Sequence, residues 1–143
     1  NHGVINKFIG DAVMAIYVPS LGSADHVRDA VLSAVKMRGA LEEFNKNGVK
    51  PAGEIKFGIG IHTGTLVAGN IGTSSRLEYT VIGDTVNIAS RIESKTKDYK
   101  ADILITSDVY KKISPAPANI EFEKAGETLL KGKEAPVEIY RIL

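Results

Sequence analysis

Asp11 is the residue of this chain best placed for chemistry, because it follows Gly10 between two short apolar runs rich in β-forming residues. A Gly-Asp pair in that setting is typical of a hairpin turn. A turn at a sheet edge holds a carboxylate towards solvent, where a hard cation such as Mg²⁺ can bind it. Taken alone, such an aspartate is more often an ordinary turn residue, so the metal-binding interpretation needs support from elsewhere in the chain.

A second group of polar side chains lies far along the chain. Asn87 and Arg91 are four residues apart in a segment that we predict to be helical, so both side chains leave the same face of the helix. A solvated polar helix face is the alternative interpretation. Nearer the end, Lys131 and Lys133 lie in a predicted loop, where flexible ammonium groups suit triphosphate oxygens or plain solvent exposure.

The segments that carry these residues resemble the catalytic core of the class III nucleotide cyclases, and the resemblance covers essentially the whole chain. No single segment is decisive, but their occurrence together in this order argues against coincidence. They are residues 7–15, 58–64, 67–72, 79–91 and 130–133. The resemblance implies an α+β fold, namely a ferredoxin-like sheet of the βαββαβ type with helices packed on one face. The predicted mixture of hairpins and helices favours the same class.

The resemblance also implies a role for each polar residue. Asp11 would bind Mg²⁺ or Mn²⁺, Asn87 would orient the ribose, and Arg91 would neutralise charge that develops on the transferring phosphate. These roles agree with general chemistry, because intramolecular phosphoryl transfer depends mainly on positioning and charge stabilisation. Of the two loop lysines, the resemblance favours Lys131 as the triphosphate ligand.

Lys7 and Thr80 are the residues that the resemblance assigns to recognition of the base. A lysine only donates hydrogen bonds, which suits N1 of adenine, and the Thr80 hydroxyl can accept from the adenine amine. Guanine would place its N1–H against the ammonium, at a cost of about 1–3 kcal/mol for an unsatisfied buried donor. We therefore predict ATP as the substrate, mainly on Lys7, because a hydroxyl can also donate. An exposed strand lysine is the alternative.

Part of the cyclase pattern is missing from these 143 residues. The resemblance implies a first strand and a second metal-binding carboxylate, which we expect to precede Asn1. Residues 1–143 would then be a partial cyclase catalytic domain, without its N-terminal strand and metal-binding loop, and weakly active or inactive by themselves. The resemblance further implies that active sites form between two chains. In a homodimer, Asp11 of one subunit would face the base, ribose and phosphate-binding residues of its partner.

The composition is that of an ordinary globular domain. The 143 residues are 43% hydrophobic and 24% charged, with a formal net charge of +1, which gives no reason to expect binding to nucleic acid. Cysteine is absent, so disulfides and thiolate metal sites are excluded. No apolar run approaches the roughly 20 residues that cross a bilayer. We expect no membrane contact from this segment and a cytoplasmic location.

The elements that must position the polar residues are predicted from turn residues and hydrophobic periodicity. Ser23 is predicted as the N-cap of a long amphipathic helix that ends near Gly48, and Asp84 as the N-cap of a helix that ends near Asp98. A short third helix is predicted at residues 107–112. Strands are predicted at residues 4–9, 12–18, 55–61, 65–69, 77–82, 103–105, 120–124 and 137–143.

Other interpretations remain open at the level of sequence. A regulatory or dimerisation module of the cyclase type would have lost catalysis, yet such modules usually lack some of the polar residues that this chain retains. A guanylate cyclase is disfavoured by Lys7. A plain ferredoxin-like binding domain would account for the fold but not for the set of polar residues.

Overall fold

The computed structural model describes residues 2–48, 53–73, 76–130 and 135–143. Within these ranges the chain forms three helices, α1 (His26–Asn47), α2 (Asp84–Lys95) and α3 (Ser107–Lys112). The strands in the same ranges are β1 (Val4–Ile9), β2 (Ala12–Ile16), β3 (Ile59–Ile61), β4 (Val67–Thr73), β5 (Arg76–Ile82), β6 (Ile103–Thr106), β7 (Phe122–Thr128) and β8 (Val137–Ile142). None of the helices in these ranges is long and apolar enough to span a membrane.

Two of the three sheets in the described ranges are antiparallel pairs. Strands β1 and β2 form the predicted hairpin, whose turn contains Gly10 with a φ of 61°. That φ lies in the left-handed region, which glycine occupies without a steric penalty. Strands β4 and β5 form a second antiparallel ribbon, in which Val67 lies opposite Ile82. Isolated two-stranded ribbons are marginally stable, so both depend on packing against other parts of the molecule.

The central sheet has the strand order β3-β6-β8-β7. Strand β3 is parallel to β6, with Ile59 opposite Ile103, while β8 is antiparallel to both β6 and β7. Every residue of β6 is buried, which is the pattern of a strand covered on both faces. Strand β6 is therefore at the centre of the fold.

Helices cover both faces of this sheet. On one face, Ile103 and Ile105 of β6 pack in a cluster with buried residues of α1 and α3. On the other face, Leu104 packs in a second cluster with Ile88 and Ile92 of α2. The α+β class is confirmed, but the prediction of helices on one face is wrong in this respect. Three consecutive apolar residues in β6 need cover on both sides, because neighbouring side chains in a strand point to opposite faces.

Strand β3 is shorter than the predicted strand at residues 55–61. The parallel pairing with β6 begins only at Ile59, so the residues before it have no partner strand among those described. The backbone of Ile55 is instead satisfied by the side chain of Asn45 in α1, which donates to the Ile55 carbonyl at 2.8 Å and accepts from its N–H at 3.1 Å. The alternating apolar pattern was correct in type, but its extent depends on the length of the neighbouring strand.

Helix α1 begins at His26, and its N-cap is Asp25 rather than the predicted Ser23. The Asp25 carboxylate accepts a hydrogen bond from the backbone N–H of Arg28 at 3.2 Å. Ser23 is fully buried and donates instead to Oδ2 of Asp29 at 2.7 Å. Both residues therefore stabilise the first turn of α1, but only Asp25 does so as a cap.

Candidate active site

Lys7 and Thr80 are brought together although 73 residues separate them in the chain. The ammonium of Lys7 on β1 donates a hydrogen bond to Oγ1 of Thr80 on β5, at 3.2 Å. Lys7 is exposed and Thr80 is half-buried, so the two groups form a polar pair at the surface. The pair combines three ammonium donors with a hydroxyl that both donates and accepts.

Asp11 lies exposed at the turn between β1 and β2. In the described part of the chain it makes no hydrogen bond or ion pair with Lys7, Thr80, Asn87 or Arg91. In one chain, therefore, Lys7 and Thr80 are joined by a hydrogen bond, and Asp11 is not bonded to the other predicted site residues that the structure describes.

Asn87 and Arg91 both lie on α2, four residues apart as predicted. Asn87 is exposed and Arg91 is half-buried. Strand β5, which carries Thr80, leads through Gly83 directly into this helix. The base-recognition pair and the helical pair are therefore positioned by one continuous strand–helix unit.

Close packing against β3 fixes the C-terminal half of α2. A Cβ at Gly60 would lie 2.5 Å from the carbonyl oxygen of Ala89 and would overlap the backbone of Glu93. Only glycine allows the helix to approach the strand at this distance. Ile92, which is fully buried, holds the same part of the helix in the second core cluster.

The N-terminal turn of α2 is held differently. Its N-cap is Gly83, which has no side chain for capping, and the predicted cap Asp84 is the first helical residue. The Thr85 hydroxyl donates to the backbone carbonyl of Thr65, between β3 and β4, at 2.6 Å. Thr85 is not predicted from the sequence, because nothing in the local sequence shows which loop passes beside its hydroxyl.

His62 lies at the end of β3 and is bonded into the fold. Its Nδ1 is 2.8 Å from Oγ1 of the buried Thr106 and 4.0 Å from Oδ2 of Asp108. The side chain is 7% exposed. These contacts give His62 a structural role, because they tie the end of β3 to the central sheet.

A largely apolar cavity of about 450 Å³ lies between β2, β3, α1 and α2. Residues 13–16 of β2 and residues 59–61 of β3 both line it. Among the described residues, β2 pairs only with β1, and β3 only with β6. The cavity is therefore bordered by two strand edges without partners in this part of the chain.

The residues present can supply only part of a metal site. Across the described ranges, no group of three or more His, Cys, Asp or Glu side chains could hold a metal ion. Mg²⁺ nevertheless binds in many proteins through one or two carboxylates and the phosphates of its substrate, and the exposed carboxylate of Asp11 fits that mode. Lys131, the predicted triphosphate ligand, and Lys133 lie outside the residues that the structure describes.

Comparison with known sequences gives matches along nearly the whole chain. A family model described as "Adenylate and Guanylate cyclase catalytic domain" matches residues 4–143. The adenylate cyclase of Anabaena cylindrica is 40% identical over 146 residues, which cover 98% of this chain and 28% of that protein. Adenylate cyclase 1 of Rhizobium meliloti is 34% identical over 143 residues, which cover 99% of this chain and 21% of that protein. The chain thus spans about a quarter of the length of these relatives.

Solved structures with the same fold include cyclases of both nucleotide types. The crystal structure of the adenylyl cyclase CyaB from P. aeruginosa superposes with a TM-score of 0.73 at 31% identity, over 99% of this chain and 71% of that chain. The crystal structure of a guanylyl cyclase superposes with a TM-score of 0.77, also at 31% identity, over 98% of this chain and 69% of that chain. Overall similarity therefore does not distinguish ATP from GTP, and the residues that contact the base must do so.

Proposed function

This chain belongs to the adenylate and guanylate cyclase catalytic domain family, and we propose that it is the catalytic part of an adenylate cyclase. The reaction would convert ATP to 3′,5′-cyclic AMP and pyrophosphate. The observation that carries the choice of nucleotide is the 3.2 Å hydrogen bond between Lys7 and Thr80. Two relatives named as adenylate cyclases, at 40% and 34% identity, support the same choice.

The Lys7–Thr80 pair supports adenine through the direction of its hydrogen bonds. Lys7 already donates to Thr80, and its remaining N–H groups can donate to N1 of adenine. Oγ1 of Thr80 keeps a second lone pair for the adenine amine. Guanine would turn its N1–H towards an ammonium that cannot accept, so one buried donor would lose its partner.

Asn87 and Arg91 would act on the sugar and the phosphate. The ribose 3′-oxygen attacks the α-phosphorus, and the bond from that phosphorus to the bridging oxygen of pyrophosphate breaks. The Asn87 amide, which has both donors and an acceptor, would hold the ribose in position for attack. The guanidinium of Arg91 would stabilise the negative charge that develops around the α-phosphorus.

Asp11 would hold Mg²⁺ or Mn²⁺ together with the substrate phosphates. A divalent ion bound there would reduce the negative charge of the triphosphate and make the ribose 3′-hydroxyl easier to ionise. Asp11 is exposed at a hairpin turn that contains a left-handed glycine. Its carboxylate can therefore approach a nucleotide bound to another chain without rearrangement of the fold.

We propose a homodimer as the active form, with Asp11 of one subunit facing the nucleotide-binding residues of its partner. Exposed apolar side chains near the polar residues support this arrangement. Phe8, between Lys7 and Asp11, is 71% exposed. On the β4–β5 ribbon the cross-strand partners Val67 and Ile82 are 67% and 55% exposed. Apolar residues concentrated in this way are typical of protein interfaces.

We also propose that residues 1–143 are a partial catalytic domain, whose first strand and second carboxylate lie elsewhere in the parent protein. The cavity of about 450 Å³ between the open edges of β2 and β3 supports this division. An added strand could pair with both edges and fill the apolar space. The limited metal-binding potential of the described residues points the same way.

A turnover assay of the intact parent protein tests the proposed function. With ATP and Mg²⁺ or Mn²⁺ we expect formation of cyclic AMP, with much slower formation of cyclic GMP from GTP. Activity should disappear when the divalent ion is chelated and return when it is restored. A preference for GTP would refute the base-recognition argument and leave the family assignment intact. An absence of either product would favour an inactive regulatory or dimerisation module.

A further inference from the structure

We propose that Thr85 is a positioning residue, whose hydrogen bond to the Thr65 carbonyl sets the place of Asn87 for the reaction. This inference rests on the proposed cyclase function and assigns a role to a residue outside the predicted site. Thr85 lies two residues before Asn87 in the first turn of α2. Its hydroxyl donates to Thr65 at 2.6 Å, which is a short hydrogen bond for these groups.

The first turn of α2 lacks a side-chain cap. The first N–H groups of a helix have no partners within the helix and are usually satisfied by the side chain of the N-cap residue. Here the N-cap is Gly83, and no side chain caps the helix. The backbone N–H of Val86 donates a long hydrogen bond of 3.2 Å to the Gly83 carbonyl, which closes the first turn. Thr85 thus provides a side-chain tether where the usual cap is missing.

The loop that carries Gly64 and Thr65 lies very close to the Thr85 side chain. A Cβ at Gly64 would lie 2.7 Å from Oγ1 of Thr85 and 3.6 Å from Nε2 of His62. The backbone beside Thr65 therefore passes the Thr85 hydroxyl at a distance that a larger residue would not allow. His62, in turn, is held by Thr106 in the central sheet. The tether links the start of α2 to the sheet through this loop.

The two halves of α2 are held by different contacts, and this decides which site residue depends on Thr85. The C-terminal half is fixed by Gly60 and by the fully buried Ile92. Loss of the Thr85 bond should therefore loosen the first turn and leave the later turns in place. Asn87 would move more than Arg91. Because displacements of about 1 Å at a reacting group can reduce rates by up to about 100-fold, a small shift of Asn87 would lower kcat.

The test uses the intact parent protein and compares Thr85→Val, which removes the hydroxyl but keeps the shape, with Thr85→Ser, which keeps the hydroxyl. For Thr85→Val we expect kcat for cyclic AMP formation to fall about tenfold, with KM for ATP changed by less than about threefold. Thr85→Ser should stay within about threefold of wild type in both parameters. Rates are normalised to the folded fraction measured by circular dichroism.

Thr96→Val is the matched control, because Thr96 donates a comparable bond of 2.7 Å, to the Glu93 carbonyl, at the other end of the same helix. It should lower the melting temperature and leave kcat per folded molecule within about twofold of wild type. If Thr85→Val does not fold, Gly64→Ala serves instead, since its methyl group would displace the Thr85 hydroxyl. The same fall in kcat is then expected.

A double-mutant cycle separates positioning from general loss of stability. In an Asn87→Ala background, Thr85→Val should reduce kcat by less than about twofold more, because the residue through which it acts is gone. A full tenfold reduction in that background, or a wild-type kcat in the single variant, would overturn the positioning role while the cyclase function stands. A wild-type protein that forms no cyclic nucleotide would overturn both.

Discussion

At the scale of single residues, the contact between Lys7 and Thr80 is the most specific feature of the proposed site. The two residues belong to different sheets, and the bond of 3.2 Å closes across 73 residues of sequence. An ammonium and a hydroxyl in contact offer a polar edge that matches adenine better than guanine. In the proposed function, the site would therefore select its base through the direction of hydrogen bonds rather than through shape alone.

Replacement of Lys7 by glutamate should shift the nucleotide preference. A carboxylate accepts hydrogen bonds and would suit the N1–H of guanine, so we expect the ratio of kcat/KM for ATP to that for GTP to fall roughly thirtyfold, for a change of about 2 kcal/mol in relative transition-state binding. Lys112→Glu, at an exposed position on α3, makes the same charge change away from the site and should leave the ratio unchanged. An unchanged ratio in Lys7→Glu would remove Lys7 from base recognition.

At this scale, the sequence marks residues whose type has a distinct chemistry. Lys7, Thr80, Asn87 and Arg91 were selected together, and the structure joins the first two and places the others on one helix. Their roles in catalysis remain predictions. Thr85 was not selected, because its contact is with a backbone carbonyl. Every residue except the chain terminus has such a carbonyl, so no residue type in the loop marks the partner.

At the scale of secondary structure elements, two different side-chain hydrogen bonds stabilise the start of α1. Asp25 caps the helix, and the buried Ser23 donates to Asp29 in its first turn. That hydrogen bond, with a smaller contribution from His2, holds the pKa of Asp29 below its ordinary value. A lowered pKa stabilises the folded state above the ordinary carboxyl pKa, and this contribution is lost as the pH falls through the folded-state pKa.

Ser23→Ala should therefore destabilise the protein in a pH-dependent way. At neutral pH we expect the free energy of unfolding to fall by about 1 kcal/mol, because a half-buried carboxylate loses a hydrogen bond. This loss of stability should be smaller in acid, where Asp29 is protonated. In the variant, the pKa of Asp29 should also rise towards its ordinary value. Urea unfolding and NMR titration measure the two effects. Ser33→Ala within α1 is the control, and an equal loss in both variants at every pH would contradict the account.

The extent of the strands and the faces that helices cover were harder to predict. Strand β3 begins where its partner β6 begins, and Asn45 satisfies the backbone of Ile55 before the strand starts. The sequence of one strand does not show how long its partner strand is. The cover on both faces of β6 could have been predicted from Ile103, Leu104 and Ile105, since three consecutive apolar residues indicate a strand buried on both sides.

At the scale of the whole molecule, the distribution of apolar surface is the main support for the proposed dimer. Apolar side chains are exposed on the β1–β2 hairpin beside Asp11 and on the β4–β5 ribbon. The cavity between β2 and β3 adds apolar surface inside the fold. Among the described residues, Asp11 makes no hydrogen bond or ion pair with the proposed nucleotide-binding residues of its own chain. The proposed symmetric dimer, in which each site takes residues from both subunits, accounts for the exposed apolar side chains and for the bonding of Asp11, and the proposed added strand accounts for the cavity.

The shared site is tested most directly by mixing two inactive subunits. In the parent protein, Asp11→Ala and Arg91→Ala should each abolish cyclic AMP formation when expressed alone. When the two variants are coexpressed in equal amounts, half of the dimers are heterodimers with one intact site out of two, so we expect about one quarter of the wild-type activity. A coexpressed mixture that stays as inactive as the separate variants would contradict the account, because Asp11 and Arg91 would then have to act within one chain.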